Sequence, residues 1–167
     1  MPKSNICVIG LSKLFADEVC KQLSVRLDMF YANVQDILEY ELVDSIRFEE
    51  VCGKEYLLKE EMSIIKRICS YENSVININY SNLNNETTLQ DVRSSCLVIY
   101  LHIEKDRFSE LIEREEEGFN YKQINKDLFV ERDIICSQLA DIVVDCKDFE
   151  NNDVIDAVIE AIVKYYS

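Results

Sequence analysis

The chain is expected to fold as a three-layer α/β domain, a parallel sheet with helices on both faces. Three observations point there. Short, wholly apolar runs such as Ile6-Cys7-Val8-Ile9 and Cys96-Leu97-Val98-Ile99-Tyr100-Leu101 read as strands buried on both faces. Between them lie longer stretches with apolar residues at helical spacing. And the two kinds of segment alternate along the chain, the signature of βα units and not of a meander or a bundle.

Taken in order, Asn5 to Ile9 is the first strand, ending at Gly10. Leu11, Phe15, Val19, Leu23 and Leu27 follow at unbroken four-residue spacing and make the buried stripe of the first helix. Tyr31 opens a short segment into a second helix at about Val34 to Leu42, and Ile46 to Val51 reads as one or two further helical turns. Glu55 to Cys69 is a long amphipathic helix with Leu58, Met62, Ile65 and Cys69 on one face. Ser74 to Ile78 is a strand, and the Asn-rich stretch Asn77 to Asn85 is a loop. Cys96 to Leu101 is the strongest strand signal. Helices are expected at Phe108 to Glu117 and about Lys126 to Leu139, a last strand at Asp141 to Asp145, and a closing helix at Asp153 to Tyr166. No linker, repeat or low-complexity tract breaks the pattern, so residues 1–167 form one domain, of a length that can bury a single core.

Charge and composition exclude several classes of function. The 18 basic and 32 acidic residues leave a net charge of −14, and no Lys/Arg cluster offers a basic stripe. Nucleic acid and anionic membrane surfaces are therefore not expected partners. The seven cysteines (Cys7, Cys20, Cys52, Cys69, Cys96, Cys136, Cys146) form no CxxC and read as reduced core thiols. A single histidine, His102, removes most metal sites and every Ser/His or Cys/His catalytic pair. With no secretory leader pattern and no membrane-length apolar run, the expected location is the cytoplasm. Glycine is scarce: three residues (Gly10, Gly53, Gly118), where average usage gives about 12. Phosphate-cradling loops need several glycines for positive φ and close approach, so the composition argues against a working nucleotide-binding loop.

The order of elements and several local strings resemble the shikimate kinase branch of the P-loop kinases. Glu131-Arg132-Asp133-Ile134-Ile135-Cys136-Ser137-Gln138-Leu139-Ala140-Asp141-Ile142-Val143-Val144-Asp145 resembles that family's E-R-x-P-L-Y-x-x-x-A-D-x-x-V-D run. Val98-Ile99-Tyr100-Leu101 resembles its V-V-Y-L strand, and Gly53 with Glu61 resembles the frame of G-E-x-x-F-R-x-x-E. The resemblance implies a shikimate-kinase-like P-loop kinase fold and, in an intact member, ATP-dependent phosphorylation of shikimate.

The functional positions depart from it. The phosphate loop G-x-x-x-x-G-K-[ST] falls on Gly10-Leu11-Ser12-Lys13-Leu14-Phe15-Ala16-Asp17, where only the first glycine is kept. Phe15 replaces the second glycine, Ala16 the phosphate-binding lysine and Asp17 the magnesium-binding hydroxyl. A phenylalanine held at positive φ costs roughly 1–2 kcal/mol. Carboxylates at Asp17 and Glu18 stand where a triphosphate would, at about 4 kcal/mol of repulsion per unit-charge contact near 4 Å. Lys13 remains near the loop, as a weak binding candidate or a solvated helix-start residue. The family's D-x-D falls on Asn33-Val34-Gln35, its substrate-clamping arginine on Leu58 and its G-G-G on Asn79-Tyr80-Ser81. Its R-P-L-L lid has no counterpart between Arg114 and Arg132. Only Arg132 keeps a substrate-binding identity, either as a residual carboxylate site or paired locally with Asp133 or Asp141.

Gly10, Lys13, Phe15, Ala16 and Asp17 thus read as a vestigial phosphate loop, and Asn33, Gln35, Leu58 and Arg132 as a vestigial substrate site. No catalytic residue, metal or cofactor is assigned, and ATP and magnesium are not expected ligands. The leading function is a non-catalytic binding or regulatory module that contacts another protein or a second copy of itself. The alternatives are an active kinase with an atypical ATP site and a carboxylate sensor built on Arg132. The first helix is expected to begin at Leu11 to Leu14, earlier than a phosphate loop allows, with Ser12 as its cap and Phe15 buried in the space of the lost phosphates.

Overall fold

In the computed structural model, residues 2–42, 50–78, 80–115, 121–147 and 151–167 are described. They form a five-stranded, wholly parallel sheet flanked by helices: β1 (Asn5–Gly10), α1 (Lys13–Leu27), β2 (Phe30–Asn33), α2 (Val34–Leu42), α3 (Lys54–Cys69), β3 (Ser74–Asn77), a 3₁₀ turn (Tyr80–Asn84), α4 (Glu86–Ser95), β4 (Cys96–His102), α5 (Lys105–Glu115), α6 (Tyr121–Leu139), β5 (Ile142–Asp145) and α7 (Asn151–Tyr166). The expected turns at Ile46 to Val51 fall largely outside the described residues. No helix among the described residues is long and apolar enough to cross a membrane.

The sheet order is β2-β3-β1-β4-β5. The two neighbouring strands β1 and β4 are built on the apolar runs Ile6 to Ile9 and Cys96 to Leu101. They pair in register from Asn5 opposite Cys96 to Gly10 opposite Leu101. The apolar side chains of both are buried on both faces, as in strands covered by helices on each side. The chain moves outward from β1 to β2, returns through β3 and then crosses β1 to reach β4. Parallel α/β sheets place their ligand crevice outside the carboxyl ends of the strands. Here β1, β2 and β3 end at Gly10, Asn33 and Asn77.

Two elements differ from the expectation. Residues 30–33, read as a lead-in to a helix, form strand β2. Four residues without a Val or Ile give no periodic signal, and pairing with β3 supplies the strand. The Asn-rich stretch holds the 3₁₀ turn, and directly after it lies α4, which was not anticipated. Asn85 caps α4 by accepting from Thr88 N at 3.1 Å. Of the seven thiols, Cys52 is exposed, so it is not a core residue; the other six are buried. Burial pushes the Cys136 and Cys146 thiols up to about 12, which keeps them protonated and inert.

The shortage of glycine is met by other residues. Asp28, closing α1, sits at φ 53°, and Asn73, leading into β3, at φ 60°. Short polar side chains tolerate this left-handed region better than others. Opposite the crevice, the buried Asn5 carboxamide donates to Tyr71 O at 2.6 Å and accepts from Ser74 N at 3.0 Å. It thereby fixes where β3 enters the sheet beside β1. Asn5→Ala is expected to leave a buried amide unpaired and lower stability by about 1–3 kcal/mol, measurable by urea denaturation.

Candidate functional site

The site is built from the first turn of α1 upward. Ser12, fully buried and in extended conformation, is the N-cap: its Oγ accepts from Phe15 N at 3.4 Å and its carbonyl from Ala16 N at 3.1 Å. The expected early start of the helix is therefore what the structure has. Two amides of the segment matched to the phosphate loop are engaged by the helix's own cap, so they are not presented as a nest. Gly10 has no positive φ. Its missing side chain serves close packing, since a Cβ there would lie 3.3 Å from that of Ala16.

Phe15 and Ala16 are buried. The Arg107 guanidinium lies 5.2 Å from the centroid of the Phe15 ring, a cation–π contact that covers it. Lys13, the first helical residue, is exposed. The stripe Leu11, Phe15, Val19 and Leu23 enters the core as expected, with Leu27 packed at its margin.

One turn further on, Asp17 is a hub. Its Oδ1 accepts from Asn33 Nδ2 at 2.8 Å, from Asn77 Nδ2 at 3.3 Å and from the Tyr31 hydroxyl. Its Oδ2 pairs with Lys21 Nζ at 2.8 Å, one helical turn away. These donors come from β2, β3 and α1, so one carboxylate gathers the carboxyl end of the crevice. Partial burial alone would raise the Asp17 pKa. Hydrogen bonds from Lys21, Tyr31 and Asn33, with the Lys21 charge, outweigh that and hold it below the usual carboxylate range. Tyr31 moves the other way: burial and its bond to the Asp17 carboxylate raise its phenol.

Asn33 serves both sides. While Nδ2 reaches Asp17, Oδ1 accepts from Gln35 N at 2.8 Å and Asp36 N at 3.2 Å, capping α2. The Gln35 side chain turns outward instead, to Glu39 Oε1 at 2.8 Å. Leu58 is an exposed residue of α3 and no part of the network. Arg132 donates from Nη1 to Leu11 O at 3.2 Å and lies over the Phe108 ring at 5.9 Å. Of the local carboxylates named for it, Asp133 accepts from the Tyr100 hydroxyl at 2.7 Å, and Asp141 accepts from Val98 N at 2.9 Å and pairs with Lys3. Through Leu11 O, Arg132 ties α6 to the turn between β1 and α1.

A family model for shikimate kinase matches residues 18–163. The chain belongs to the shikimate kinase family. The match begins one residue after Asp17, beyond the segment set against the phosphate loop. A search of curated protein sequences finds no match. Among solved structures, the fold is similar to shikimate kinase from Aquifex aeolicus (TM-score 0.81, 23% identity, covering 95% of this chain and 96% of that one). It is also similar to shikimate kinase from Acinetobacter baumannii in complex with shikimate (0.84, 14% identity, 97% and 94%). A gluconokinase from Sinorhizobium meliloti matches more loosely (0.60, 13% identity, 97% and 93%). At these identities the likeness concerns the fold.

Of the positions singled out in this shikimate kinase family member, the structure brings Asp17 and Asn33 into one network, and Gly10, Phe15 and Ala16 into the helix start beside it. Lys21, Tyr31 and Asn77 had not been singled out. The four-residue spacing of Asp17 and Lys21 is a signal in the sequence. Tyr31 and Asn77 become visible only once the strand ends are aligned.

The network sets a pH dependence. Because the folded-state pKa of Asp17 is depressed, its contribution is present above the unfolded value, near 3.8, and is lost as pH falls through the folded value. Asp17→Asn is expected to lower stability at neutral pH and to flatten the acid limb of the stability profile, measured by denaturant titration from pH 7 down to pH 2. An unchanged acid limb would show that the carboxylate is not held by these donors.

Proposed function

We propose that this shikimate kinase family member does not transfer phosphate and acts as a non-catalytic binding or regulatory module. The observation that carries this reading is the Asp17 cage. At the carboxyl ends of the strands, where such a sheet offers a ligand its crevice, a protein carboxylate takes the hydrogen bonds of Tyr31, Asn33 and Asn77 and the charge of Lys21. An incoming phosphate would meet the Asp17 carboxylate there, its charge offset in part by Lys21. It would also find the Phe15 and Ala16 amides bonded to Ser12. Phosphoryl transfer rests on positioning and charge stabilisation, and Lys21, the cation paired at this place, is already committed to Asp17.

The reading is tested with ATP, magnesium and shikimate in a coupled assay for ADP release. No shikimate-dependent turnover above background is expected; a saturable rate requiring both substrates would overturn it. Ala16→Lys is expected to restore no ATP affinity by calorimetry, because Phe15 and the Ser12 cap still hold the helix start closed.

The carboxylate-sensor reading has less support, since Arg132 already bonds the Leu11 carbonyl and covers Phe108. Arg132→Ala is expected to lower stability by about 1–3 kcal/mol, the range for leaving a buried partner unpaired. Thermal shifts with shikimate or citrate should be absent both before and after the substitution. A ligand shift lost in the variant would favour the sensor.

A further inference from the structure

The outer edge of β2 is an open strand edge, and its chemistry is unusual for one. Phe30 N donates to Asn73 O at 2.9 Å, with Phe30 opposite Ser74 and Ala32 opposite Ile76. Parallel pairing alternates, so the main-chain N–H and C=O of Tyr31 turn away from β3 toward the open side. β2 ends the sheet order, and no described strand pairs with that side. Exposed edges are ordinarily blunted by lysine, proline or a charge pointing inward. From Met29 to Leu42 there is no lysine, arginine or proline. Large rings stand there instead: Phe30 is 72% exposed, Tyr40 87% and Tyr71 48%.

Two hollows, of about 220 and 430 Å³, lie along this edge and share Tyr31, Ala32 and Ile37. Together they make a trough between Tyr71 at one end and Tyr40 at the other. Among the described residues, the charged ones lining it are Asp36 in one hollow and Glu72 in the other, and no cation lines either. The edge thus offers main-chain pairing, apolar pockets for alternate side chains and negative charge. A second copy of this chain would bring the same acidic edge and another −14 of charge. A basic segment meets no such repulsion.

We propose that the β2 edge accepts an extended segment of another protein, alternating basic and apolar residues, as an added strand. The proposal is independent of whether the chain turns over any substrate. The probe is a blocked peptide of about eight residues alternating lysine and valine, titrated into the full chain with amide hydrogen exchange followed by NMR. Binding is expected, with slowed exchange at the Tyr31 amide and weakening as salt is raised. Phe30→Ser with Tyr40→Ser, both on exposed side chains, is expected to weaken binding about tenfold, as loss of aromatic anchors does. A matched glutamate–valine peptide should not bind. The proposal is overturned by absence of binding, by unchanged exchange at Tyr31, by equal binding to the double variant or of the acidic peptide, or by sedimentation showing the chain paired with itself through this edge.

Discussion

A half-buried carboxylate has to be paired, and Asp17 meets that requirement entirely from within the chain. Its partners lie on α1, β2 and β3, so the pairing fixes how the first helix sits over the strand ends. Asn33 extends the constraint, since the amide that reaches Asp17 also presents the oxygen that caps α2. The start of α2 and the hydroxyl of Tyr31 are thereby held by one charged atom group. In a sheet of this topology the same volume is where a ligand's charge would be met. The geometry of the crevice is set here by protein-to-protein bonds.

A second constraint lies just before it. Ser12 accepts two amides at the helix start, and the close approach of Gly10 to Ala16 brings the first turn of α1 down onto the end of β1. Phe15 is buried by that approach, with Arg107 over its ring. Burying such a ring stabilises by about 2–3 kcal/mol, comparable to a large share of a domain's net stability. Cap, ring and carboxylate favour the same closed arrangement, and each makes the others easier to hold.

Much of this was legible from residues alone. The α1 stripe and the Ser12 cap announce where the first helix begins, and the apolar runs Ile6 to Ile9 and Cys96 to Leu101 announce the strands β1 and β4. β2 was not legible, because Phe30-Tyr31-Ala32-Asn33 is too short to show a period and owes its form to β3. α4 was hidden because its apolar residues are few and its capping Asn85 lies in a run of asparagines. At the site, Asp17 and Asn33 could be singled out, but not that their side chains bond to each other across 16 residues. Pairwise contact between strand ends depends on register, which single-strand patterns do not encode.

Fold and site are therefore carried by different residues of the chain. Shikimate kinases at 14–23% identity share this fold with TM-scores of 0.81–0.84 because the sheet needs only apolar strands in the right order. The crevice depends on a handful of polar positions, which can change together without disturbing that order. Tyr31 shows how closely the two are joined. Its phenol is committed inward to Asp17, while its main chain turns outward along the unpaired edge of β2. Holding the ring fixes the strand on which the exposed aromatics of that edge are mounted. The Asp17 network at the strand ends is in this way also the support for the outer surface beside it.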